Sequence, residues 1–264
     1  FTNTLVPYVA AKAAYSLKLP HVWWIHEFGK EDFGFTTGWG NEKISLKWMQ
    51  LSSKLIIGNS KAISNKFARL MPMANVVTIY QPVSWKASQT AKNAKQARFL
   101  MFGQLVPSRG HVDVLRAMVA NKQKGKPLYT LHIKGPCEIE SYLAELKQFI
   151  RHNQIEDAVK IEVGYFEKEQ VMPQYEILIV ASQAEAFGRV IIEANKAGLR
   201  VLVRNSGGAT ELVNESNGLL FSNQEELAAA LCGEMAFPVT IIHSNYDEST
   251  ELQTLTALLT TICS

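Results

Sequence analysis

The pattern that most constrains this chain is an alternation: short runs of Val, Ile and Leu recur between amphipathic stretches of ten or more residues. Strands buried on both faces read as continuous apolar runs, and long connections between them fit parallel pairing through helices, so the pattern argues βαβ units and an α/β fold. In the first third the expected strands are 21–26 (HVWWIH), 54–59 (KLIIGN) and 75–80 (NVVTIY), with helices near 4–17, 41–52 and 60–71. Asn59 and Ser60 both offer a cap for the helix after the second strand. A polar stretch rich in Lys, Ala and Gln then breaks the alternation and reads as a linker over 85–95. The alternation restarts with expected strands at 98–103, 128–135, 159–164, 176–182, 200–205 and 218–222. The resulting organisation is a first domain over 1–84, a second over 96–243, and a closing helix over 244–264. In that helix Leu252, Leu255, Leu258 and Leu259 recur at helical spacing.

Composition narrows the function classes. The chain has 264 residues, 47% hydrophobic and 19% charged, a globular mixture. No apolar run reaches the roughly 18 residues that a membrane-spanning helix needs. Lys plus Arg number 27 against 24 Asp plus Glu, and a net charge of +3 makes no case for a nucleic-acid partner. The three cysteines, Cys137, Cys232 and Cys263, form neither a disulfide framework nor a zinc spacing, which fits a cytoplasmic setting. The sequence starts at Phe1 in what reads as the inside of a domain, so the first domain is expected to be incomplete.

The stretch from Ala181 to Val213 carries the chemistry: a strand, a turn with Glu185, a helix starting near Phe187 and Gly188, a second carboxylate at Glu193, another strand and a Gly207-Gly208 turn. The two acids are eight residues apart, about 12 Å at helical rise, against the roughly 5 Å of a carboxylate pair acting on one anomeric carbon. They are therefore expected to read different parts of one ligand. Between them, the free N–H groups of a helix start attract phosphate. Hydroxyls at both ends and a diphosphate in the middle describe a nucleotide sugar.

EAFGRVIIE with its paired glutamates, GGATE at Gly207–Glu211 and VNESNGLLF resemble the donor-binding domain of retaining GT-B glycosyltransferases of family 4. NTLVPYVAAKAAYSLKLPHVWWIHEFG is similar to the later part of the acceptor-side domain of bacterial members. The resemblance implies two Rossmann-like domains facing a cleft, the N-terminal one incomplete here. It implies transfer of a sugar, with retention of configuration, from a nucleotide-diphosphate donor to a glycan or lipid-linked acceptor in cell-surface polysaccharide assembly, without metal or organic cofactor. Glu185 would meet hydroxyls of the transferred sugar and Glu193 those of the ribose. The amides of Phe187 and Gly188 would hold phosphate, the backbone near Tyr165 and Phe166 would pack on the base, and His26 would face the sugar from the other domain. The loop FGKEDFGFTTGWG would belong to the active site, and peripheral association with the inner face of the membrane stays open.

The chain departs from the family in its first glycine turn, FGQLVPSRG. After Gly103 stands Gln104 where Arg is usual, and Arg109 where Lys is usual. Arg109 keeps a charge suited to phosphate, and Gln104 does not. Lys134 and Lys196 are the candidates for the missing cation. The alternative to an active transferase is an inactive remnant or nucleotide-sugar-binding protein of the same fold. Glu211 has two compatible roles open to it, capping the helix that it begins and touching the ligand.

Overall fold

A computed structural model describes residues 1–5, 8–34, 41–86, 97–238 and 248–263. In chain order the strands are β1 (Thr2–Asn3), β2 (Val22–Ile25), β3 (Leu55–Gly58), β4 (Val76–Thr78), β5 (Ala97–Phe102), β6 (Leu131–Gly135), β7 (Val159–Val163), β8 (Tyr175–Val180), β9 (Arg200–Arg204) and β10 (Gly218–Phe221). The helices are α1 (Val9–Ser16), α2 (Lys30–Phe33), α3 (Glu42–Ser52), α4 (Lys61–Leu70), α5 (His111–Gln123), α6 (Glu140–His152), α7 (Lys168–Val171), α8 (Arg189–Lys196), α9 (Gln224–Cys232) and α10 (Glu248–Cys263). The nine expected strands all form, their bounds within three residues of the apolar runs that place them, and β1 has no counterpart among the expected strands.

Two parallel sheets result. The first has the order β1-β2-β3-β4 and the second β10-β9-β8-β5-β6-β7. The second sheet winds outward in both directions from β5, the doubly wound order whose switch point lies between β5 and β8. Ligands meet such sheets at the carboxyl ends beside the switch point, where Gly103 follows β5 and Ala181 follows β8.

Each face of the second sheet has its own core. Phe99, Leu131 and Ile177 contribute to one, and Leu100, Leu178 and Val201 to the other. Val83 is fully buried in the latter core and Trp85 packs on it; residues 87–95 of the expected linker lie outside the described residues. The first sheet packs Trp23, Ile25 and Ile56 on one side. On its other side Leu255, Leu258, Leu259 and Ile262 of α10 cover Val22, Leu55, Ile57 and Ile79. The end of the chain thus returns to the first sheet. No helix of the described residues is long and apolar enough to cross a membrane.

Three contacts lock the units against each other. Ala186, in the turn after β8, joins the core of the first sheet. Gly208 lies so close to the carbonyl of Ala186 and the Ser60 side chain that a Cβ there would overlap both. Glu211 reaches across as well: its carboxylate accepts the N–H groups of Lys61 and Ala62 at 2.9 and 2.8 Å, and the Tyr80 hydroxyl at 2.9 Å. Glu211 therefore caps α4 of the first unit rather than the turn it begins. Ser60 supplies the other cap of α4, accepting from Ile63 N–H at 3.1 Å, which leaves Asn59 for another role.

Candidate functional site

A pocket of about 470 Å³ opens at the switch point, between the two sheets. The second sheet contributes Gly103, Arg109, Glu185, Phe187, Gly188 and Glu193 to its walls, and the first contributes His26 and Asn59. Seven of the residues singled out in the sequence meet here: His26, Gly103, Arg109, Glu185, Phe187, Gly188 and Glu193.

The turn from Glu185 to Gly188 is not helical. α8 starts at Arg189, with Gly188 as its N-cap at φ 93°, a conformation that favours glycine. The helical-rise spacing of about 12 Å between the two acids therefore does not apply, because the first half of that interval is a turn. No side chain caps α8. Its first N–H groups open on the pocket, a concentration of positive dipole suited to an anion. Phe187 is 2% exposed and stacks on Tyr80 at 5.9 Å, so its side chain anchors the turn while its backbone borders the pocket.

Each acid has a cation. Arg109 Nη1 donates to Glu185 Oε2 at 2.6 Å and to Ser182 Oγ at 3.3 Å. Lys168 Nζ, on the short helix α7, donates to Glu193 Oε1 at 2.5 Å, and Arg189 Nη2 stands 3.8 Å from the same oxygen. Glu193 is 7% exposed, so its charge is held by these partners rather than by bulk water.

His26 follows β2. Its ring packs beside Trp24, centroids 5.1 Å apart, and its Nδ1 is buried with no hydrogen-bond partner among the described residues. Burial, then the nearby charge of Arg189, lower its pKa to about 4 against the opposing effect of a hydrogen bond to the Gln81 side chain. The imidazole is neutral at pH 7, able to accept or donate a hydrogen bond without adding charge. Asn59 Nδ2 donates to the His26 carbonyl at 3.3 Å, and Asn59 Oδ1 is a second buried, unpartnered polar atom on this wall. Such atoms cost stability unless a ligand or water completes them.

Glu27 is spent on structure. It accepts the Thr4 hydroxyl, Leu5 N–H and His26 N–H, which fixes the end of β2 under the histidine. In the short helix α2 that follows, Asp32 accepts Phe28 and Gly29 N–H, both at 2.7 Å; residues 35–40, with Trp39, lie outside the described residues.

Three expected residues stand apart from this pocket. Gln104 lines an adjoining compartment of about 550 Å³, which shares His26, Arg109 and Glu185 with the first. Tyr165 is 87% exposed. Phe166 packs against the core of the second sheet, with Lys134 Nζ 5.1 Å from its ring centre. Neither substitute cation reaches the pocket: Lys134 pairs with Glu162 at 3.0 Å, and Lys196 donates to the Val83 carbonyl at 2.6 Å. The cations that do line it are Arg109, Lys168 and Arg189. Arg189 was visible inside EAFGRVIIE. Lys168 and Gln81 carried no signal, because only the fold brings them in. Among the described residues no three His, Cys, Asp or Glu side chains gather closely enough to hold a metal ion.

Two parallel α/β units facing one charged pocket at a switch point define a GT-B architecture. The chain belongs to the glycosyl transferases group 1 family, whose sequence model matches residues 85–232. It is 28% identical over 171 residues to the GtfA subunit of the UDP-N-acetylglucosamine–peptide N-acetylglucosaminyltransferase of Streptococcus pneumoniae, a match covering 63% of this chain and 33% of that protein. It is 28% identical over 159 residues to a glycogen synthase of Marinomonas, covering 58% of this chain and 32% of the relative. The matched region thus spans about a third of the length of these curated relatives. Among solved structures, Anabaena HepE in complex with UDP and glucose superposes with a TM-score of 0.79 at 24% identity, covering 96% of this chain and 75% of that one. Sucrose-phosphate synthase of Thermosynechococcus elongatus gives 0.77 at 15% identity, covering 99% and 72%. At these identities the likeness is one of fold.

Proposed function

We propose that this chain binds a UDP-linked sugar at the switch-point pocket and serves a family 4 glycosyltransferase, which passes the sugar to a glycan or lipid-linked acceptor with retention of configuration. The observation that carries the reading is the arrangement around the uncapped start of α8, with Glu185 on one side and Glu193 on the other. The diphosphate lies at the helix start, the ribose at Glu193 and the hexose between Glu185 and His26. Uridine is favoured because HepE was solved with UDP and glucose, and the pneumococcal GtfA with UDP and N-acetylglucosamine. The acceptor enters through the adjoining compartment, which shares His26, Arg109 and Glu185. Side-chain cations and helix amides meet the diphosphate charge, so no metal is required. This reading sets the work in the cytoplasm, in polysaccharide assembly, at the inner membrane face where the acceptor is lipid-linked.

Thermal unfolding in the presence of EDTA tests it with UDP, UDP-glucose and UDP-N-acetylglucosamine. A ligand at 100 times its dissociation constant stabilises by about 2.7 kcal/mol, which raises the midpoint by several degrees. The absence of a shift with every UDP-, GDP- and ADP-sugar removes the reading. For turnover, release of UDP is followed with candidate acceptors, and proton NMR of the product reads its anomeric configuration.

A further inference from the structure

Among the described residues the pocket has three side-chain cations and two carboxylates, His26 being neutral. Arg109 is committed to Glu185 at 2.6 Å, and Lys168 to Glu193 at 2.5 Å. Arg189 is the least committed, with Glu193 Oε1 at 3.8 Å and half of its side chain exposed. It is the first residue of α8, so its backbone N–H belongs to the uncapped helix start and its guanidinium lines the same space.

Its neighbours fix where along a ligand this charge falls. Glu193 lies one helical turn further on the same face. His26, from the turn after β2 in the first sheet, lines the same pocket. The guanidinium thus shares one pocket with Glu193, the residue assigned to the ribose, and with Glu185 and His26, the residues assigned to the hexose. In a nucleotide sugar the group between those ends is the diphosphate.

We propose that Arg189 is the second diphosphate cation of this site, contacting the β-phosphate and taking the place of the charge that Gln104 lacks. The proposal rests on the UDP-sugar reading above. Transfer breaks the bond between the anomeric carbon and the β-phosphate oxygen, which keeps the electron pair. The acceptor oxygen bonds to that carbon, and its proton passes to the departing diphosphate. The leaving group thus gains negative charge before the proton arrives, and a preorganised guanidinium stabilises that charge. A planar fork can hold two phosphate oxygens at once.

The test compares UDP with UMP by titration calorimetry on the full chain. Wild type is expected to bind UDP at least about ten-fold tighter than UMP. Arg189→Gln is expected to reduce that ratio to about two-fold by weakening UDP alone. Retained UMP binding shows that the fold and the ribose contacts survive, and Arg189→Met serves as a second uncharged variant. Arg189→Lys keeps most of the discrimination. A ratio unchanged in the uncharged variants overturns the proposal alone, as does an equal loss of UMP and UDP. A wild type that does not distinguish UDP from UMP removes the diphosphate reading itself, and the proposal with it.

Discussion

Arg109 holds Glu185: the guanidinium donates to Oε2 at 2.6 Å, although the two residues come from the turns after different strands. The proposed reading gives them different targets, phosphate for the arginine and sugar hydroxyls for the acid. In the structure they neutralise each other. On that reading a diphosphate would compete for the arginine, and the sugar hydroxyls would take over the carboxylate.

The first prediction follows from that competition. Glu185→Gln removes the charge that occupies Arg109, so plain UDP is expected to bind as well as to wild type or a few-fold tighter. The advantage of UDP-glucose over UDP is expected to fall to about two-fold. Titration with both ligands decides it. An equal weakening of UDP and UDP-glucose means that Glu185 does not read the sugar.

Glu193 should behave in the opposite way. Glu193→Ala removes a buried acceptor and leaves Lys168 without its partner, a loss of about 1–3 kcal/mol in UDP binding. The loss is specific to the ribose, so 2′-deoxy-UDP and UDP are expected to bind the variant alike while wild type prefers UDP. A variant that still prefers UDP places the ribose elsewhere.

What was legible in the sequence was local. The strands were readable because parallel strands covered on both faces need unbroken apolar runs, as in Ile177–Val180 and Val201–Val203. Glu185, Gly188 and Glu193 were readable because one turn and one helix present them together. The rest depends on contacts made by folding. Lys168 meets Glu193 across 25 positions, and Glu211 meets Lys61 across 150. Asn59 looked like a cap, but Ser60 took that role and left Asn59 on the pocket wall. Gln104, beside the right glycine, turns into the neighbouring compartment instead.

The Glu211 contact yields a stability prediction. Two N–H groups at the start of α4 and the Tyr80 hydroxyl lose their shared acceptor in Glu211→Ala. Loss of a helix cap costs about 1–2 kcal/mol, and urea unfolding is expected to show a destabilisation of that size. Tyr80 also stacks on Phe187, which borders the pocket, so UDP affinity is expected to fall by about three-fold. A variant as stable as wild type means that water replaces the carboxylate without cost.

The histidines set the acid limit of stability. Burial is the first cause that lowers the pKa of His21, His26 and His111 to about 4. For His26 the charge of Arg189 adds to it, and for His111 the charge of Arg109. In the unfolded chain each titrates near 6.5. Between about pH 6.5 and 4 the unfolded state therefore holds more protons than the native state, and stability falls as pH falls through that window. Each proton contributes a slope of up to about 1.4 kcal/mol per pH unit. Urea unfolding at pH 7.5, 6.5, 5.5 and 4.5 is expected to show a plateau above about 7 and a decline below 6.5. Replacing His111 by Gln is expected to flatten the decline by about one proton, because Gln does not titrate while its amide can still bond the Tyr142 hydroxyl, which lies 3.2 Å from His111 Nδ1. A decline that starts only below pH 5 excludes the histidines as its source.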